Sequence, residues 1–319
     1  IVVGTHALFQ KEVTFAKLAL IVIDEQHRFG VHQRMQLRDK GAKDNVHPHQ
    51  LIMTATPIPR TLAMCAYADL DQSIIDELPP GRKPIKTVVM DNHKRASVVE
   101  RIDSACQTGR QAYWVCTLIE ESELLQCQAA EVTAKQLQRA LPRLSVGLVH
   151  GRMKASEKEA VMQAFKRGEI HLLVATTVIE VGVDVPNASL MIIDNPERLG
   201  LSQLHQLRGR VGRGDQDSHC VLMYQHPLSK IARERLTILR ESQDGFVIAE
   251  KDLQLRGPGE VLGTKQTGDI TMRIADLIED SDWLPIVQEV ADDLLVKESD
   301  RVNAIIDRWL GRQSAYGLV

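Results

Sequence analysis

Two adjacent carboxylates, Asp24 and Glu25, follow directly on six apolar residues, Leu18 to Ile23. The apolar run is too short for an ordinary helix and rich in β-branched types, so it predicts a strand buried on both faces of a parallel sheet. In open α/β sheets, ligands sit in the crevice beyond the carboxyl ends of the strands. One carboxylate there can hold a hydrated Mg²⁺ on the β- and γ-phosphates of a nucleotide, while its neighbour takes a proton from an attacking water. The bland alternative is a strand whose acidic tip is simply solvated.

A second stretch carries the complementary charge. In Gln206-Leu207-Arg208-Gly209-Arg210-Val211-Gly212-Arg213-Gly214, arginines and glycines are interleaved. Arg210 and Arg213 stand three apart, and a helical conformation turns both guanidinium groups to one face. Two converging planar forks neutralise charge growing on a transferred γ-phosphoryl group better than lysine does, and glycine lets backbones approach closely. A basic loop paired with carboxylates is the plainer reading. Threonines close two further apolar runs, Thr54 and Thr56 after Gln50–Met53, and Thr176 and Thr177 after His171–Ala175. Such residues serve as turn formers or strand material, and equally as hydrogen-bonding partners for a relay or for phosphate oxygens.

These groups need a scaffold that brings strand ends together. Apolar strands alternate with polar helical segments through Pro80, as in a doubly wound sheet, with Ile1–Val3 as a first strand and Thr61–Leu70 as a helix. Leu78-Pro79-Pro80-Gly81-Arg82-Lys83-Pro84 has linker composition. The alternation then restarts, with strands at Thr87–Met90, Gln111–Cys116, Leu144–Val149, His171–Ala175 and Ser189–Asp194. A helix follows Arg152, with Ser156 and Glu159 as a capping box and Gly168 as its stop. Leu228, Ala232, Leu236 and Leu239 share one helical face, Gly245 interrupts, and Phe246, Ala249 and Leu253 share a second, which predicts a helical hairpin. The acidic segment beyond Ile270 has apolar stripes that predict helices packed on the second domain.

The expected architecture is therefore α/β: a partial parallel-sheet domain over 1–80, a complete one over 81–226, a hairpin and loop over 227–270, and a helical extension over 271–319. The 319 residues, 44% hydrophobic and 25% charged with a net charge of −3, have ordinary globular composition, and no apolar run is long enough to span a bilayer. Slight acidity argues against indiscriminate coating of nucleic acid and leaves room for a local basic groove. The five cysteines form no C-x-x-C pair, so neither a zinc site nor a disulfide framework is indicated and a reducing cytoplasm fits. The phosphate-cradling loop G-x-x-x-x-G-K-[ST] is absent from the sequence and is expected upstream of Ile1.

The order and spacing of Asp24-Glu25-Gln26-His27, Thr54-Ala55-Thr56, Thr176 to Asp184 and Gln206-x-x-Gly209-Arg210-x-Gly212-Arg213 resemble motifs II, III, V and VI of superfamily 2 helicases and translocases. Gly4-Thr5-His6-Ala7 and Asp252-Leu253-x-Leu255-Arg256-Gly257-Pro258-Gly259, on to Gln266-x-Gly268, are similar to the RecG family of branched-DNA translocases, without its wedge domain. This resemblance implies RecA-like motor domains, with ATP and Mg²⁺ as nucleotide and metal. Asp24 would hold the metal through water, Glu25 would be the general base, and Gln26 and His27 would couple the site to DNA. Arg210 and Arg213 would be arginine fingers, with Gln206, Gly182 and Asp184 at the nucleotide. Thr5, His6, Thr54, Thr56, Thr176, Thr177, Arg235, Arg256 and Gln266 would contact DNA or couple to it. The implied substrates are stalled forks and Holliday junctions, handled by a monomer working with replication and repair proteins, away from membranes. The alternatives are a translocase like the transcription-repair coupling factor, in which alanine is expected at Pro258, and a non-catalytic DNA-binding module. Without the phosphate loop, this chain by itself is expected to be inactive.

Overall fold

In a computed structural model of the chain, the structure describes residues 1–25, 31–41, 46–54, 71–79, 81–117, 123–177, 184–256, 279–298, 301–302, 304–305 and 308. Contacts divide the chain into two compact units, one of Ile1–Pro57 with Asp280–Val319 and one of Ile58–Glu279. The predicted helix at Thr61–Leu70 lies outside the described residues.

In the first unit, β1 (Leu20–Ile23) pairs in parallel with β2 (His49–Ile52), Leu20 opposite His49. Successive side chains of a strand point to opposite faces. Ile21 and Ile23 are buried with Leu37 of helix α1 (Val31–Gly41), against Phe9, Phe15 and Leu18. Leu20 and Val22, on the other face, are 57% and 54% exposed. The expected burial on both faces is therefore corrected to burial on one: among the described residues, only the side facing α1 is covered. Ile1–Val3 is likewise not a strand but exposed, irregular chain. The Lys40 ammonium of α1 donates to the carbonyls of Leu8, Gln10 and Val13, which ties the turn at His6–Phe9 to the helix.

The second unit is built on six parallel strands: β3 (Lys86–Asp91), β4 (Gln111–Cys116), β5 (Val146–Val149), β6 (Leu172–Ala175), β7 (Ala188–Asp194) and β8 (His219–Tyr224). Their order is β3-β8-β7-β4-β6-β5. Helices α2 (Arg95–Gln107) and α3 (Glu123–Ala140) cover one face, where Val98, Ile102 and Leu137 meet Ala112, Trp114 and Val174. The opposite face takes α4 (Ala155–Lys166), α5 (Leu201–Arg208), α6 (Lys230–Glu241) and α7 (Gly245–Arg256). Here Tyr113, Val115 and Met191 meet Phe165, Leu204, Leu207, Leu236 and Ile248. Leu201, Leu204 and Leu207 of α5 are wholly buried, and each contributes roughly 1.5–3 kcal/mol by leaving water.

Helix α4 starts earlier than its sequence punctuation suggests. The backbone N–H of Lys154 donates to Glu157 Oε2 at 3.1 Å, so the cap pairs Lys154 with Glu157 and not Ser156 with Glu159. Its stop is as expected, with Gly168 at φ +79°. Helices α6 and α7 form the predicted pair. Ser229 Oγ accepts the Ala232 N–H to start α6, and Ala232, Leu236, Leu239, Ala249 and Leu253 turn inward. The last helix, α8 (Leu284–Lys297), groups with the first unit by its contacts, and Ile286, Val287 and Val290 are exposed.

Candidate functional site

The acidic tip is shaped by its own backbone. Asp24 leaves β1 exposed, and its Oδ1 accepts the N–H of Glu25 at 2.8 Å. Glu25 is half-buried at φ +54°, a left-handed conformation that costs a residue with a Cβ about 1–3 kcal/mol and clusters at functional positions. The strand end therefore presents two carboxylates in a fixed, strained order. Thr5 precedes the His6–Phe9 turn and Thr54 follows β2, and Thr5, His6 and Thr54 are all exposed. Gln26, His27 and Thr56 lie outside the described residues.

The arginine stretch is not helical throughout. Helix α5 ends at Arg208, Gly209 caps it, and Arg210 and Arg213 stand in the turn that follows. Their spacing on one helical face is corrected to a glycine-punctuated turn. Gly212 adopts φ +76°, and a Cβ there would lie 2.9 Å from Ile85 Cγ1. At Gly214 the chain passes so close to Pro186 that a Cβ would meet its carbonyl oxygen at 2.5 Å. Arg213 Nη1 reaches Asp184 Oδ1 at 3.4 Å, and Arg213 Nε reaches the Gly209 carbonyl at 3.4 Å. Arg210 is half-buried in the same turn, and Gln206 lies one turn earlier on α5.

Three groups around this turn were hidden in the sequence. Arg208 is buried, and its Nη1 donates to the carbonyls of Leu239 and Ser242, both at 2.8 Å, while Nη2 meets His205 Nδ1 at 2.9 Å. It is a bolt between α5 and the end of α6, not a free cation of the turn. Arg82, in the segment read only as a linker, donates from Nη2 to the Gly209 carbonyl at 3.2 Å. Burial lowers its pKa, the charge of Arg213 lowers it further, and Asp184 opposes the shift. Tyr113 on β4 is pushed up to about 12 by burial, and Arg210 and Arg213 pull it back. Electrostatically, these groups share one neighbourhood.

Topology assigns the two edges of the sheet different chemistry. Because the strands are parallel, Arg82 before β3, Asp184 before β7 and Arg210 and Arg213 before β8 gather at the amino edge. Thr176 and Thr177 follow β6 at the carboxyl edge, Thr176 buried and Thr177 half-buried. Asp194 ends β7 at that edge, held by Arg95 at 3.0 Å and Trp114 Nε1 at 2.7 Å. Burial raises its pKa, against the pull of Arg95 and of the Trp114 hydrogen bond. Arg235 of α6 donates to the Leu199 carbonyl at 3.2 Å, which links the hairpin to the approach to α5. Arg256 closes α7 with its side chain outside the description, and Gly182 and Gln266 lie outside the described residues. Among the described residues no group of three or more His, Cys, Asp and Glu could cage a metal ion, and no helix is long and apolar enough to cross a membrane.

Residues 93–215 match the helicase conserved C-terminal domain, and residues 242–310 match domain 3, C-terminal, of the ATP-dependent DNA helicase RecG. The chain is 65% identical over 316 residues to the ATP-dependent DNA helicase RecG of Escherichia coli strain K12, covering 99% of this chain and 46% of that protein. It is 66% identical over 316 residues to its counterpart from Haemophilus influenzae, with the same coverage. A solved structure of RecG bound to a three-way DNA junction is similar with a TM-score of 0.67 and 44% identity, covering 88% of this chain and 35% of that one. The chain thus spans about half the length of the relatives it matches.

Proposed function

The chain belongs to the RecG helicase family over the stretch it spans, and from that premise we propose that it is the later portion of an ATP-driven motor that moves on double-stranded DNA. In this reading the motor remodels stalled replication forks and Holliday junctions in the cytoplasm during repair and recombination. The observation that carries it is the arginine turn: at one edge of a packed sheet, Arg213 pairs with Asp184 and Arg210 is half-buried in the same turn. A charged anion is what such a turn is built to meet.

Glu25 takes a proton from a water whose oxygen attacks the γ-phosphorus, and the bond to the β-γ bridging oxygen breaks with its electrons leaving on ADP. Arg210 and Arg213 meet the charge that spreads over the γ-phosphoryl oxygens. Asp24, an exposed hard-oxygen donor that joins no multi-ligand cage among the described residues, suits a Mg²⁺ held through water. When bound, that ion neutralises charge on the β- and γ-oxygens. Thr5, His6, Thr54, Thr56, Thr176 and Thr177 meet the phosphate backbone, which positions the protein without reading sequence. Gln26 and His27 relay between the two sites, and Gln206, Gly182 and Asp184 line the nucleotide. The hairpin, with Arg235, Arg256 and Gln266, acts as a lever biased by the nucleotide state.

The phosphate loop is absent from this sequence, so the chain alone binds DNA without hydrolysing ATP. The test measures ATP hydrolysis with and without branched DNA, for this chain and for the chain extended at its amino end to its relatives' length. Turnover stimulated by branched DNA in the extended protein alone supports the proposal. An extended protein that binds the junction with no ATP hydrolysis favours the DNA-binding module.

A further inference from the structure

We propose that Arg82 is a positioning residue of the nucleotide site, which sets the direction of the arginine turn from the segment that joins the two motor domains. The inference rests on the reading of Arg210 and Arg213 as phosphate-facing groups and adds a residue that sequence patterning places in a mere linker.

The last carbonyls of a helix lack intrahelical partners. At the end of α5 the Gly209 carbonyl accepts from two guanidinium groups, Arg82 Nη2 at 3.2 Å and Arg213 Nε at 3.4 Å. The peptide is planar, so fixing that carbonyl fixes the nitrogen from which Arg210 projects. One bond from the linker thus orients both arginines, Arg213 through a shared acceptor and Arg210 through the peptide itself.

Arg82 is itself held in place. Its N–H donates to the Pro79 carbonyl at 3.1 Å across a turn with Gly81 at φ +84°. Three residues later, Ile85 packs where Gly212 has no side chain, and the Ile85 N–H donates to Gln243 Oε1 at 2.9 Å, between α6 and α7. The next residue starts β3 through Lys86 N–H to the Ser218 carbonyl at 3.0 Å. The segment from Arg82 to Ile85 is therefore a strap pinned to the arginine turn, the hairpin and the sheet. A shift of the chain entering at Pro79 is transmitted to the groups that meet the phosphate.

The experiment compares Arg82→Ala, Arg82→Lys and Arg213→Ala in the chain extended to its relatives' length, by steady-state ATP hydrolysis on duplex DNA. Misplacement of the turn is expected to lower kcat about 10²-fold in Arg82→Ala, with KM for ATP little changed. Arg82→Lys, which still offers a donor to the Gly209 carbonyl, restores most of that loss. Equal loss in the alanine and lysine variants overturns a positioning role in favour of direct phosphate contact. An unchanged kcat in Arg82→Ala beside a collapsed Arg213→Ala overturns the proposal while leaving the arginine fingers standing. If Arg213→Ala also turns over normally, the finger reading fails, and the role of Arg82 fails with it.

Discussion

Among the described residues, Asp24 and Glu25 end a strand covered on one face, whereas Arg210 and Arg213 leave a helix packed into a sheet buried on both. At the acidic tip, the contacts seen among the described residues are local: a left-handed Glu25 and an Asp24 carboxylate that accepts the next N–H. At the arginine turn, order comes from distant partners, Arg82 from 127 residues away and Arg208 through carbonyls 31 and 34 residues on. The tip can be tuned by single residues, and the turn can be moved only with the body that braces it.

The sharpest way to break this contrast is to remove a charge without touching its support. Arg213→Ala or Arg210→Ala, in the extended protein, should lower kcat roughly 10³-fold or more while leaving the thermal midpoint near its starting value. A merely tenfold loss with a lowered midpoint would mean that these side chains are structural. Glu25→Gln should lower kcat by about 10²–10⁴-fold, with nucleotide binding measured by titration retained. Glu25→Gly goes further, since it relieves the left-handed strain: turnover disappears, yet stability rises by about 1 kcal/mol. Loss of both together would show that the tip is held by packing after all.

A smaller effect tests the bracing. Arg208→Met removes a buried cation and leaves the Leu239 and Ser242 carbonyls without that donor, at a cost of about 1–3 kcal/mol in chemical denaturation. Its kcat should fall less than in the finger variants. A kcat collapse at unchanged stability would place Arg208 in the chemistry and not beneath it.

Much of this scaffold was readable from apolar runs. Gln111–Cys116 and the strand that ends at Ala175 are continuous because both faces of a parallel sheet are covered, and the hairpin follows its helical stripes. The same rule misled at Leu18–Ile23, where an apolar run cannot tell one covered face from two. Arginine spacing marked the turn but not its conformation, because Gly209 and Gly212 end the helix between the two groups. Arg82 was hidden by its prolines and glycine, and Arg208 by its exposed-looking neighbours. Partners more than a hundred residues apart, or buried through tertiary contact, leave no local period to find.

The mildest probe alters the bracing without removing a guanidinium. His205 on α5 has its pKa lowered to about 4 by burial, then by the charges of Arg208 and Arg82, with Asp244 opposing. Its Nδ1 lies 2.9 Å from Arg208 Nη2, so the neutral ring accepts and a protonated ring cannot. The unfolded chain takes up this proton as pH falls through its ordinary value of 6.5, and the folded chain does so only near 4. Unfolded chains therefore bind more protons in that window, and stability declines as pH drops from 6.5 toward about 4, by roughly 1–2 kcal/mol after allowance for solvent near the half-buried ring. Above pH 6.5 the contribution is complete. His205→Gln keeps an acceptor for Arg208 and should flatten this part of the profile of unfolding free energy against pH. An identical slope in the variant would show that the arginine turn is braced without help from the neutral imidazole.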